Sequence, residues 1–251
     1  MSLPDVPEPT LPAHRPADNF GRDNGSVRDA WVQAQLAQIP AGKRLLDAGA
    51  GESRYKPFCA HLRYVSQDFC QYTGAGDGKG LQTGQWGTSR IDIVSDIANI
   101  PEPDASFDAI LCTEVLEHVP NPIAAIREFT RLLCPGGTLI LTAPFCSLTH
   151  FSPYHFSSGF NRYWYENVLA NDFDAIAIVP NGDYFSYMAQ ELRRIDSMGK
   201  KYAQKGLGFI GKIAKSILIH RLRSMSSQDA GSAESLCFGY HVTARKKPSS
   251  D

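Results

Sequence analysis

Acidic residues recur at the ends of short apolar runs. Asp47 follows Arg44, Leu45 and Leu46; Asp68 follows the run from Arg63 to Gln67; Asp96 follows Asp92 to Ser95; and Thr113 and Glu114 follow Ala109 to Cys112. Just beyond the first run, Gly49 and Gly51 can make a tight turn that leaves room for a ligand against the backbone. About twenty residues later, Asp68 is placed to accept the hydroxyl protons of a ribose. Asp96 can accept an adenine amino proton, and Ile97 can cover the ring. Taken singly, each acid also suits a helix cap or a solvated turn, and a Gly-x-Gly pair suits a plain turn. What sets them apart is their shared phase with the runs.

A second group lies farther along, in Phe145 to His150 and Tyr154 to Tyr163. His150 or His155 can take a hydroxyl proton near neutral pH, and Arg162 can hold a carboxylate, phosphate or sugar oxygen. Each histidine equally suits a structural or solvent-facing place. No HxxxH and no compact His-Cys cluster is present, so no metal is expected.

Two other sites fit less well. The first turn continues Glu52-Ser53-Arg54, without the third small residue that packs a helix over a pyrophosphate. The run Gly74 to Gly80 holds Lys79 but lacks the GK[ST] ending of a phosphate loop. It reads as a mobile loop beside the substrate entrance or a tolerated surface insertion.

The elements that must position these residues follow from periodicity. Trp31, Val32, Leu36 and Ile39 recur at helical spacing over Val27 to Ile39, and Pro40 stops that helix. Strands are expected over Arg44 to Asp47, Arg63 to Gln67, Asp92 to Ser95, Ala109 to Cys112 and Thr138 to Thr142. A helix over Ile123 to Leu133 ends in the turn Cys134-Pro135-Gly136-Gly137. The second half adds a helix over Tyr163 to Leu169 and strands over Asp174 to Val179 and Leu236 to Ala244. This βα rhythm predicts an open, mostly parallel sheet with helices on both faces, whose ligands collect at the carboxyl ends of the strands.

Residues 1–26, with five prolines before Ala17, read as a flexible arm. Residues 27–251 read as one domain, with 181–231 a helical insert containing helices over Tyr184 to Met198 and Ile210 to Leu222. The 251 residues carry a formal charge of −1, which argues against a general hold on nucleic acid. Six scattered cysteines read as reduced thiols, not as a disulfide framework. The N-terminus lacks the basic start and apolar run of a signal peptide, and no apolar run reaches about 18 residues, so a cytoplasmic protein is expected. From Leu192 to Arg223, nine Lys or Arg face one Asp. The stripe Ile210, Ile213, Ala214, Ile217, Leu218 and Leu222 packs on its own domain or on a second copy, making a homodimer. Alternatively, residues 206–223 rest on an anionic membrane.

The ordered set Leu46-Asp47-Ala48-Gly49-Ala50-Gly51, Asp68, Ser95-Asp96-Ile97, Phe107-Asp108-Ala109-Ile110, Glu114-Val115-Leu116-Glu117-His118-Val119 and Leu132 to Leu139 resembles the class I S-adenosylmethionine-dependent methyltransferases, in particular their small-molecule branch. The resemblance is clear from Arg44 to Phe145. It implies an α/β, Rossmann-like, mostly parallel seven-stranded sheet with a helical insert before the last strand. It also implies S-adenosylmethionine as cofactor. Asp47, with Ala48, Gly49 and Gly51 in the turn, would hold the methionine end. Asp68 would hold the ribose, Phe69, Asp96 and Ile97 the adenine, and the backbone at Thr113 and Glu114 the cofactor's amino acid. His118 falls at the family's Glu-His position, where a substrate contact and a local hydrogen bond are equally suited.

The resemblance implies methyl transfer to a hydroxyl of a small polar or glycosylated metabolite. His155 and His150 are the proton-acceptor candidates, and His118, Phe145, Tyr154, Arg162 and Tyr163 are the substrate-wall candidates. A non-catalytic regulatory or scaffolding subunit of the same fold and an RNA methyltransferase remain as alternatives, the last weakly supported by one basic helix.

Overall fold

The computed structural model describes residues 19–88 and 90–248. Most of the proline-rich arm, residues 1–18, lies outside them. The described residues divide into two compact units: residues 24–184 with 229–248, and residues 19–23 with 185–228.

The larger unit is built on seven strands: β1 (Arg44–Ala48), β2 (Arg63–Asp68), β3 (Ile93–Val94), β4 (Phe107–Thr113), β5 (Leu133–Pro144), β6 (Phe173–Asn181) and β7 (Gly239–Lys246). Their spatial order is β3-β2-β1-β4-β5-β7-β6. The first five pair in parallel, and β7 runs antiparallel between β5 and β6. Strands covered on both faces read as continuous apolar runs, and successive residues serve opposite layers. Leu46, Ile110, Cys112, Leu139 and Leu141 face one core with Phe129, Leu132 and Tyr165. Leu45, Ala109, Leu111 and Ile140 face the other with Val32 and Leu36.

Three helices belong to this unit: α1 (Asn24–Ala37), α2 (Pro122–Leu132) and α3 (Arg162–Leu169). Asn121 caps α2 by accepting from Ala124 N at 3.1 Å, with Pro122 in the first turn where its missing N–H costs nothing. Asn161 caps α3 in the same way, accepting from Trp164 N at 3.1 Å. On α1, Trp31 stacks on His241 of β7 with ring centroids 4.8 Å apart.

Several boundaries differ from the sequence reading by a few residues, and two of the differences change how a segment is read. Helix α1 begins at Asn24, inside the segment 1–26 assigned to the arm. Strand β5 begins at Leu133, not Thr138: Leu133 already pairs with Phe107, and the register shifts between Phe107 and Ala109, so Cys134 to Gly137 form an irregularity inside the strand rather than a turn before it. No two of the six cysteines are joined.

The smaller unit holds most of α4 (Tyr184–Tyr202) and all of α5 (Phe209–Ser226), inserted between β6 and β7. Arg193 Nε donates to Phe20 O at 3.1 Å, and a Cβ on Gly21 would lie 2.8 Å from that of Ala189, so residues 19–23 pack closely on α4. Asp196 accepts from Leu207 N at 2.8 Å and pairs with Lys200 at 2.7 Å, closing the turn between the two helices. Helix α5 has no buried residue. Among the described residues no helix is long and apolar enough to cross a membrane.

Candidate active site

A cavity of about 730 Å³ opens at the carboxyl ends of β1, β2 and β4. Its first wall is set by the turn after β1. Gly49 sits at φ +73°, and a Cβ there would lie 2.5 Å from Val115, so only glycine fits the turn without displacing Val115. Gly49 N and Ala50 N donate to Gln67 O at 2.9 and 2.8 Å, tying the turn to the end of β2. The Asp68 carboxylate then accepts from Gly51 N at 2.9 Å and from Cys70 N at 2.7 Å. Two backbone donors therefore fix this carboxylate against the cavity and leave acceptor capacity over for a ligand. Asp96 is held by Ala98 N at 2.8 Å, and Phe69 and Ile97 line the same wall.

Glu114 accepts from Thr142 Oγ1 at 3.0 Å and pairs with Arg28 of α1 at 2.8 Å. Burial works against the Arg28 charge, but Glu114, Tyr55 and Asp29 more than offset it, and the guanidinium stays above its ordinary pKa.

The opposite wall comes from three separate segments. His118 follows β4; His150, Phe151 and Tyr154 follow β5; and Tyr72 and Trp86 bracket the glycine-rich run. That run is docked on the segment after β5: Leu81 N donates to Thr149 O at 2.9 Å and Phe151 N to Leu81 O at 3.1 Å. Gly80, at φ +61°, lies so close that a Cβ would be 2.5 Å from Thr149 O. Phe151 stacks on Tyr72 (4.4 Å) and on His118 (4.9 Å), and Trp86 meets it edge-on at 5.1 Å.

Three imidazoles gather here. The ring of His150 lies 4.6 Å from that of His118 and 4.8 Å from that of His155. Beneath them Glu117 is 1% exposed, with neither carboxyl oxygen hydrogen-bonded. Burial, and then repulsion from Glu114, push the Glu117 carboxyl well above its usual range. Burial, and then His150, pull His118 down to about 3; the same causes lower His155. His155 Nε2 lies 3.2 Å from Ser147 Oγ.

Of the residues anticipated from sequence, Gly49, Asp68, Phe69, Asp96, Ile97, Thr113, Glu114, His118, Tyr154 and His150 line this one cavity. Asp47 and Ala48 lie behind the wall. The Asp47 carboxylate, 2% exposed, accepts from Tyr64 Oη at 2.6 Å, and burial raises its pKa to about 7. His155 stands behind His150, and Phe145 packs on Tyr240 of β7. Arg162 pairs with Glu166 on the solvent face of α3, and Tyr163 is 75% exposed. Sequence reading did not single out Arg28, Tyr72, Trp86, Phe151 or Glu117 as site residues. Only Glu117 carried a local signal, as the acid beside His118 in the quoted motif.

A methyltransferase-domain family model matches residues 21–195. The chain belongs to this family, as a class I S-adenosylmethionine-dependent methyltransferase, and S-adenosylmethionine is its cofactor. It is 38% identical over 119 residues to a ubiquinone biosynthesis O-methyltransferase of Xanthomonas axonopodis pv. citri (strain 306), a match covering 46% of this chain and 48% of that protein. It is 37% identical over 119 residues to the Xanthomonas campestris pv. campestris (strain B100) protein of the same name, with the same coverage. The matched region thus spans about half the length of these curated relatives.

Among solved structures, the fold resembles the (4+2)-cyclase SpnF, with TM-score 0.53 and 18% identity over 92% of this chain and 86% of that one. It also resembles Haemonchus contortus phosphoethanolamine N-methyltransferase 2 in complex with S-adenosyl-L-methionine, with TM-score 0.51 and 17% identity over 88% of this chain and 52% of that one.

The residues present suit the cofactor. A carboxylate fixed by two backbone N–H groups, an apolar pair beside it and a second carboxylate beyond match the chemistry of a ribose, an adenine face and an exocyclic amine.

Proposed function

We propose that the protein transfers a methyl group to a hydroxyl of a small polar or glycosylated metabolite. The observation that carries this reading is a single cavity with the acceptor carboxylates of Asp68 and Asp96 on one wall and the imidazoles of His118 and His150 on the other. The name of the curated relatives favours oxygen as the acceptor atom. S-adenosylmethionine, when bound, supplies a methyl already activated on a sulfonium, so the protein's task is to align the acceptor, exclude water and remove a proton.

Asp68 and Asp96 hold the nucleoside end, and the Glu114 segment, braced by Arg28, faces the amino-acid end. Phe151, Tyr72 and Trp86 keep the acceptor wall dry. The hydroxyl proton passes to an imidazole nitrogen of His155 or His150. Burial, followed by His150, lowers the pKa of His155 and keeps that ring neutral, and Tyr154 and His118 flank the acceptor. A cytoplasmic place and no nucleic-acid partner belong to the same reading.

The test is calorimetric titration of the folded protein with S-adenosylmethionine, beside a folded Asp68→Ala variant. Saturable one-site binding that is lost in the variant supports the reading and opens a screen of hydroxylated metabolites and sugars. No binding by folded wild type would shift weight to a scaffolding role.

Helix α5 supports a further contact, with an anionic bilayer. Phe209, Ile210, Ile213, Ile217, Leu218 and Met225 are exposed, and the helix carries Lys212, Lys215, Arg221 and Arg223 with no acid. Apolar anchoring combined with cationic attraction suits a lipid surface. Sedimentation with phosphatidylglycerol vesicles at low and moderate salt should show binding that weakens with salt. A concentration-dependent dimer without vesicle binding would assign the face to a second copy instead.

A further inference from the structure

We propose that Glu117, His118 and His150 form a binding site for one divalent first-row transition cation, of the kind zinc represents, on the acceptor wall of the cavity. The argument starts from an anomaly. A carboxyl group 1% exposed with no hydrogen bond to either oxygen is costly to bury, and native proteins rarely leave one so. Glu117 is held in this state by its own backbone, whose carbonyl accepts from Phe156 N at 2.9 Å and from Ser157 N at 3.2 Å.

The histidines supply the complement. His118 Nδ1 lies 2.5 Å from Tyr154 O, and His150 Nδ1 lies 2.9 Å from Leu148 O. A carbonyl can only accept, so both rings carry their proton on Nδ1 and turn the Nε2 lone pair elsewhere. In both rings it is turned towards Glu117. Nε2 of His118 lies 3.7 Å from Glu117 Oε1, and Nε2 of His150 lies 3.8 Å from the same oxygen. One ligand atom from each of the three lies within 4.8 Å of the others. Around a tetrahedral zinc, with bonds of about 2.0–2.2 Å, adjacent ligand atoms stand about 3.4 Å apart, so the two edges to Glu117 close with shifts of tenths of an ångström, while the two imidazoles draw together from a separation of up to 4.8 Å.

An imidazole whose second nitrogen donates to a carbonyl is the arrangement that orients metal-bound histidines. Two imidazoles with one carboxylate favour zinc, manganese or iron over magnesium or calcium, which prefer all-oxygen shells. Three protein ligands leave a coordination position for a ligand from the cavity, which His118 and His150 line.

Resting on the methyl-transfer reading, the site also divides the labour of the histidines. The acceptor oxygen would bind the cation, which lowers the pKa of its hydroxyl, and the released proton would pass to His155, which is left as the base. The oxygen lone pair then forms the bond to the methyl carbon while the carbon–sulfur pair returns to sulfur.

The test reads metal directly. Full-length protein, stripped with chelator and dialysed, is titrated with zinc sulfate against a chromophoric competitor, and separately with cobalt(II) for its visible spectrum. We expect one zinc per chain, a cobalt spectrum without a thiolate charge-transfer band, and affinity lower by roughly tenfold or more in both Glu117→Gln and His150→Ala. Absence of a one-to-one site in folded wild type overturns the proposal, as does undiminished affinity in the variants or a thiolate band that places the metal on cysteine. If Glu117→Gln fails to fold, His150→Ala decides, since His150 sits on a partly exposed loop. S-adenosylmethionine binding on the same preparations keeps the two readings separable: its loss with zinc binding intact sinks the methyltransferase assignment and not the metal site.

Discussion

The two walls of the cavity satisfy their polar groups by different means. On the wall formed at the ends of β1, β2 and β3, the Asp68 carboxylate meets two backbone donors, one two residues on and one from the turn after β1, and Asp96 meets a third two residues on. On the wall beyond β4 and β5, Glu117 Oε1 and Oε2 and His118 Nε2 are buried with no hydrogen-bond partner, and the segments that carry them are joined by contacts from distant parts of the chain. The first wall pairs its carboxylates with backbone donors, whereas the second buries a carboxyl group and an imidazole nitrogen without any, and it is on that difference that the proposed metal site rests.

The comparison breaks most readily at His155. If it receives the acceptor proton, His155→Gln should lower kcat by about 10² or more while leaving S-adenosylmethionine affinity unchanged, since the effect falls on one wall alone. Steady-state kinetics beside calorimetry read the split; equal loss of both would make His155 structural.

Next in size is an effect of pH on stability. His241, under Trp31, has both ring nitrogens unpaired, and burial, followed by Arg28, lowers its pKa to about 3. The unfolded chain then binds a proton that the folded chain refuses between about pH 6.5 and 3, so stability falls as pH drops through that window. His241→Phe should remove this loss, gaining about 2 kcal/mol at pH 5 relative to its effect at pH 8, as read by denaturant melts at the two values. An identical difference at both pH values would sink the assignment.

Gly80→Ala places a methyl against Thr149 O at a positive φ and should cost about 1–2 kcal/mol, loosening the histidine wall. Turnover should fall, with cofactor affinity held. The smallest effect is expected at Arg162, whose exposed pair with Glu166 lies on α3. Arg162→Ala should change stability by no more than about 0.5 kcal/mol, and an unchanged KM would end the acceptor wall before α3.

Much of the first wall was legible before any coordinates. A strand announces itself in a handful of residues, and the loop after it lies at the sheet's carboxyl edge, so Asp68, Asp96 and Glu114 could be placed together by phase alone. The same locality misled at Cys134 to Gly137, where a Pro-Gly-Gly run that resembles a turn is carried as an irregularity within β5.

The order of strands and helices, the family motif and the basic, apolar character of α5 were determined by the sequence itself, because each depends on residues close together in the chain. The tertiary structure decided that Asp47 turns to Tyr64 and away from the cavity, that Arg28 of α1 braces Glu114, and that the glycine-rich run roofs the site. It also brought His150 over Glu117 and His118. The strand pairing β4 to β5 sets those segments side by side, whereas no spacing rule along the chain links residues so far apart.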